Sequence, residues 1–230
     1  MKLYSYCLRY DSGAAPNPFW GICTLAICKP VIRRTARIGD WVAGLGSANS
    51  PIGDMSACVV YAMKVTDKKT LQEYDAYCQK HCPQKIPVWN SSDFRRRVGD
   101  CIYDFSHGTP PRIRPGVHDE RNRERDLGGQ YVLISDHFYY FGDKPIELPD
   151  DLKPIIHHTQ GHKSVANKPY VETFIAWISK SGRKVNGLYG EPQLKREFSL
   201  DPSIGIKCAS RCLASAEKDE REHCARKGCG

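Results

Sequence analysis

Residues 11–34 carry the densest mixture of reactive and recognising side chains in the chain. Asp11 supplies a carboxylate, Asn17 an amide, and Phe19 and Trp20 flat rings. Cys23 and Cys28 add thiols, and Lys29, Arg33 and Arg34 add cations. Gly13, Pro16, Pro18 and Gly21 thread them on turns rather than regular structure. The set suits a flat, anionic ligand such as a nucleotide. Asp11 and Asn17 would pair with sugar or base edges. Lys29 and Arg33 would meet phosphate oxygens, and Phe19 would stack on a base. The structural alternative is equally concrete: Asp and Asn are common turn residues that bond their own backbone, and Phe19 and Trp20 would ordinarily be core.

Other constellations are weaker. Gly39-Asp40-Trp41 is a Gly-Asp turn before an apolar strand, with Trp41 available to stack on a base. Gln160-Gly161-His162 through Asn167 forms a polar segment ahead of a helix; Gln160 and Asn167 could read base edges and His162 could act as a general base. A lone histidine is more often structural. The thiols Cys208, Cys212, Cys224 and Cys229 fall in Cys-x3-Cys and Cys-x4-Cys pairs beside His223. That spacing is wider than usual for zinc, so reduced thiols in a loose tail are expected, with no metal and no cofactor. Arg95-Arg96-Arg97 and Arg112 to Arg125 cluster positive charge, but Asp119, Glu120, Glu124 and Asp126 interleave with it. A solvated loop is favoured there over a phosphate-contacting patch.

The elements that must position these residues follow from periodicity. Residues 2–10 alternate and read as a first strand, and Cys23–Cys28 as a short strand stopped by Pro30. Ala57–Val65 reads as another strand, and Gln130–Gly142 as a strand pair turning near Asp136. Leu71, Tyr74 and Cys78 predict a helix over 70–80, capped by Thr66 or Asp67. Val171, Phe174, Ile175 and Ile178 predict a second, strongly amphipathic helix over 170–180. Arg37–Val42 and Arg97–Ile102 match in character position by position, which predicts one turn type used twice. The charged, Pro-containing stretch 106–129 reads as a long loop.

The 230 residues are 40% hydrophobic and carry a formal charge of +8. They suffice for one sizeable domain, and the cationic surplus suits a phosphate-bearing partner. The apolar runs are too short to cross a bilayer. Met1–Leu8 lacks the long apolar core of a secretory signal, which places the protein in the cytoplasm with its 11 cysteines reduced.

The string Asp11–Phe19, followed by Cys23–Pro30 and Gly39-Asp40-Trp41, resembles the nucleotide modification associated domain 2 family. Leu133–Ser135, Phe138–Gly142 and Gln160-Gly161-His162 fit the same family, and the resemblance covers roughly residues 1–180. It implies a link to systems that modify bases in DNA or nucleotides. More loosely, Gly39-Asp40-Trp41 and the run Val59–Tyr77 are similar to PUA-like barrels, the group of ASCH and EVE domains that take a base into the barrel mouth; the insert at 104–128 departs from that pattern. The expectation is therefore an α+β fold, a bent PUA-like β-barrel decorated with a few helices. Residues 1–190 would form one nucleotide- or base-binding domain and 191–230 a polar, Cys-containing tail. The expected partner is a nucleotide or nucleic acid, including modified DNA. Its contacts would come from Asp11, Asn17, Phe19, Lys29, Arg33, Asp40, Trp41, Gln160, His162 and Asn167. The alternatives are an enzyme using Asp11 or His162 as acid/base, and an interaction protein organised by the cysteine tail.

Overall fold

The computed structural model describes residues 1–158, 161–180 and 182–195. In chain order the strands and helices are β1 (Leu3–Cys7), β2 (Cys23–Leu25), α1 (Pro30–Thr35), β3 (Trp41–Leu45), β4 (Cys58–Lys64), β5 (Asp67–Thr70), α2 (Leu71–His81), α3 (Phe94–Arg97), β6 (Tyr103–Asp104), β7 (Arg112–Ile113), α4 (Arg123–Leu127), β8 (Tyr131–Ser135), β9 (His137–Tyr140), β10 (Ile146–Glu147), α5 (Val171–Ile178) and β11 (Gly187–Leu188). The class is mixed α+β, with several sheets and few helices. The larger sheet runs β1-β3-β4-β9-β11 with β10 added to β4, and the smaller runs β2-β8-β5. A separate two-stranded ribbon joins β6 to β7. Among the described residues no continuous ring of strand pairing closes these sheets into a barrel.

Period-two alternation sorts the side chains into three layers. On β1, Tyr4 and Tyr6 face the space between the sheets, while Leu3 faces the other way. On β8, Leu133 enters the same inter-sheet space, and Val132 and Ile134 point outward under α2. The outer face of the larger sheet buries Trp41, Ala43 and Tyr139 beneath α5, whose Val171, Phe174 and Ile178 complete that layer as their spacing predicts. A bulge lies in β4: Gly44 pairs with Tyr61 but Leu45 pairs with Val59, so Val60 is the extra residue. The bulge lets both Val60 and Tyr61 face the inter-sheet core. Tyr61 crosses so close over Gly44 that a Cβ there would stand 2.3 Å from its ring, so only glycine fits.

Several local expectations need correction. The α2 cap is Thr70, in a capping box with Glu73, because Asp67–Thr70 is held in the β5–β8 ladder until that point. Pro30 opens α1 at its first position rather than merely ending a strand. The two Gly-Asp sequences are not one turn. Asp40 accepts the backbone N–H groups of Lys2 and Arg37. Asp100 is instead buried, accepting the hydroxyls of Thr24 and Tyr74, and no strand begins until Tyr103. The stretch 106–129 is not one loop: it folds into β7 and α4.

Candidate functional site

The residues of segment 11–34 divide among three places. Asp11, at the start, is fully buried and accepts the Tyr140 hydroxyl at 2.5 Å and the Gly13 N–H at 3.0 Å. Burial pushes its carboxyl up to about 6, against the opposing pull of those donors. Nearby, Tyr6 and Tyr61 share a hydroxyl–hydroxyl hydrogen bond of 2.9 Å. The Lys29 ammonium lies 4.6 Å over the Tyr6 ring. Burial drives the Tyr6 hydroxyl well above its ordinary value, and Cys28, Asp11 and Cys23 are near enough to add to that rise. Asp11 and Lys29 are thus brought together around Tyr6.

Asn17 and Phe19 belong elsewhere. The Asn17 amide nitrogen donates to the Val98 carbonyl, and its side-chain oxygen accepts from the buried Lys85 ammonium at 2.7 Å. Lys85 also donates to the carbonyls of Asn17 and Ile22 and to the Thr24 hydroxyl. Thr24 passes the chain on to Asp100. Phe19 packs edge-on against Phe94 in the layer under α2. Neither presents its polar edge or ring face to solvent.

Arg33 corrects the phosphate expectation most sharply. Its guanidinium is fully buried and donates to the carbonyls of Cys28, Ala26, Tyr131 and Asp126. It braces the turn that precedes α1. Trp41 is likewise only 2% exposed, edge-on to His137 and Phe174 beneath α5, so it packs the core instead of stacking on a base. His162 is 3% exposed against the Tyr4 ring. The Asn167 amide ties its loop to β1 through the Leu3 carbonyl and the Ser5 hydroxyl. Gln160 and the tail cysteines Cys208, Cys212, Cys224 and Cys229 lie outside the described residues.

Two features escape a reading of the sequence. One is an open groove of about 970 Å³ walled by Lys2, Arg34, Arg37, Lys68, Asp40 and Tyr131. Lys68 lies 4.4 Å over the Tyr131 ring and donates to the carbonyls of Arg34 and Ala36. Partial burial, then the Arg37 charge, pull the Lys68 ammonium below its ordinary range, while Asp40 opposes them. Ile38 is 65% exposed at the same rim. The run Arg33-Arg34-Thr35-Ala36-Arg37 announces part of this wall, but Lys2 and Lys68 reach it only through the fold. By contrast, half of the arginines in the Arg-rich stretches meet acids: Arg95 pairs with Asp93, Arg114 with Asp75 and Asp104, Arg121 with Asp119, and Arg123 with Glu120. The second feature is that His118 and Asp126 of the 106–129 stretch close on Cys28. Cys28 and His118 stand 90 positions apart, which hides that meeting from any local motif.

Comparison with curated proteins yields no match, and neither does comparison with solved structures. One family model does match, over residues 1–200 of the 230. That match covers most of the sequence, and the chain belongs to the nucleotide modification associated domain 2 family.

Proposed function

We propose that the protein binds a nucleotide or a nucleic-acid strand, modified DNA included, through the basic groove. The carrying observation is the groove itself. Four cationic side chains from three separate chain segments converge there on one cavity, with Asp40 as its acidic member. Phosphates would lie along Lys2, Arg34 and Arg37. A base would rest against Tyr131 and the exposed Ile38. Asp11, Lys29 and His162 lie outside the groove's lining, and their contacts with Tyr140, Tyr6 and Tyr4 give them a role in the fold around β1 rather than in reading the base. The family's association with nucleotide modification supports this assignment. Likeness to PUA-like barrels belongs to the same proposal: the two sheets share one interior, although their strand pairing is separate. Full burial of Asp11 and near-full burial of His162 favour binding over proton transfer at those two residues.

Titration of a fluorescent single-stranded oligonucleotide tests the proposal. Lys2→Glu with Arg37→Glu alters two exposed side chains of the groove, so the melting temperature should hold. Affinity should fall by roughly tenfold or more, the scale expected when cations on phosphate are reversed. Unchanged affinity in that variant would remove the groove from the account.

A further inference from the structure

We infer that Cys28 is a nucleophile for acyl transfer, activated by His118 and oriented through it by Asp126. The inference goes beyond nucleotide binding and does not depend on it. The Cys28 sulfur lies 3.4 Å from His118 Nε2, and His118 Nδ1 lies 2.5 Å from Asp126 Oδ2. The same Oδ2 accepts the Tyr103 hydroxyl at 3.1 Å, and Oδ1 accepts the Cys28 backbone N–H at 2.9 Å. An ionised carboxylate only accepts, so the proton between it and the imidazole belongs on Nδ1. That leaves the Nε2 lone pair facing the thiol, the arrangement a general base requires. One carboxylate thereby fixes both the imidazole and the backbone of the residue it serves.

The backbone supports the same assignment. Cys28 and Lys29 follow β2 with φ of 58° and 42°, two successive left-handed conformations without glycine, immediately before α1. Strain of this kind persists only where surroundings over-determine it, and it gathers at functional sites. Here Arg33 over-determines it, donating to the Cys28 carbonyl at 2.7 Å and the Ala26 carbonyl at 2.8 Å. Arg33 is a positioning residue for the sulfur. Exposure completes the case. Among the described thiols Cys23, Cys78, Cys82 and Cys101 are buried, whereas Cys28 is half-buried. Cys7 and Cys58 are also half-buried, but the Cys7 sulfur faces the Gly46 carbonyl, and burial raises the Cys58 thiol.

The substrate class is an amide, ester or thioester. Cys28 passes its proton to His118 Nε2 as the sulfur bonds to the carbonyl carbon and the carbonyl π pair moves onto oxygen. The double bond re-forms, the leaving amine, alcohol or thiol departs, and it takes the proton from His118. Water then gives a proton to His118 while its oxygen attacks the thioester carbon; sulfur leaves, recovers that proton, and the acid is released. A base seated on the thiol can protonate a group leaving the carbon that sulfur attacks. This favours acyl transfer over simple addition to a ring, which needs its proton delivered at a different atom.

Alkylation of the intact chain by iodoacetamide, resolved by peptide mass spectrometry from pH 5 to 9, tests the relay without any nucleotide present. Cys28 should react about tenfold faster than Cys7 and Cys58 at pH 6, with an inflection below the ~8.5 of a free thiol. His118→Gln should erase that advantage and restore an ordinary thiol pH profile. With p-nitrophenyl acetate, the wild-type chain should show a burst and one acetyl group on Cys28, both lost in Cys28→Ser. Cys28 alkylation in the wild-type chain no faster than at Cys7 and Cys58 across the whole pH range overturns the relay. That reading needs no variant to fold. Fast alkylation without acetylation at Cys28 overturns the acyl-transfer assignment.

Discussion

Asp11 shows how far a residue's role departs from its type. As a carboxylate in a Gly- and Pro-rich segment it reads as a ligand contact, yet it is enclosed by the Tyr140 hydroxyl and the Gly13 N–H. Its carboxyl rises from 3.8 to about 6 because burial outweighs those donors. The protonated native form holds its full advantage below about 4, and that advantage is lost as pH rises through about 6, a difference of roughly 3 kcal/mol. Melting temperature measured from pH 4 to 7 should therefore fall more in the wild-type chain than in Asp11→Asn. Parallel curves would contradict the buried, proton-holding state. Arg33 makes the same point with the opposite charge. Its type and its place beside Arg34 suggest phosphate, but its partners are four backbone carbonyls. Arg33→Lys keeps the charge and loses the fork. It should cost about 3 kcal/mol in denaturant unfolding and slow Cys28 alkylation, whereas a phosphate-binding role would leave stability unchanged.

Among the elements, those with a local period were readable and those defined by distant partners were not. The spacing of Val171, Phe174 and Ile178 was enough for α5, and the apolar stretches on either side of Asp136 for β8 and β9 as strands; their expected pairing with each other was wrong, because β8 joins β2 and β5 in the smaller sheet while β9 joins β4 and β11 in the larger. The strand Asp67-Lys68-Lys69-Thr70 carries no apolar alternation at all; it is a strand because β8, some 60 residues on, accepts it into a ladder. The second Gly-Asp failed as a turn for a related reason: Lys85, Thr24 and Tyr74 converge on the Asp100 region from three other elements. Burial lowers the Lys85 ammonium and raises the Asp100 carboxyl, with each partner opposing that trend in the other. This network pins the segment around Asn17 to the ends of α2 and α3. Lys85→Met would remove the ammonium donor from the Asn17 side-chain oxygen, the Thr24 hydroxyl and the carbonyls of Asn17 and Ile22, all in the interior. A loss of about 3–5 kcal/mol is expected in chemical denaturation; a variant as stable as wild type would show the network to be dispensable.

At the scale of the whole molecule, the +8 charge has a destination that composition alone does not reveal. The Arg-rich stretches look like the interface, but much of their charge is paired with neighbouring acids. Meanwhile, folding β1 beside β3 and β5 beside β8 draws Lys2, Arg34, Arg37 and Lys68 to one groove. Among the described residues no helix is long and apolar enough to cross a membrane. The family and the α+β class were within reach of the sequence, the first from a contiguous string and the second from alternating patterns. The groove was not, because its cations are separated by long stretches of chain.

The dependence of oligonucleotide affinity on salt tests the central claim most directly. If phosphates lie along the groove, the logarithm of the binding constant should fall linearly with the logarithm of salt concentration. The Lys2→Glu, Arg37→Glu variant should then show a slope shallower by about two. Affinity indifferent to salt, or an identical slope in the variant, would contradict the assignment.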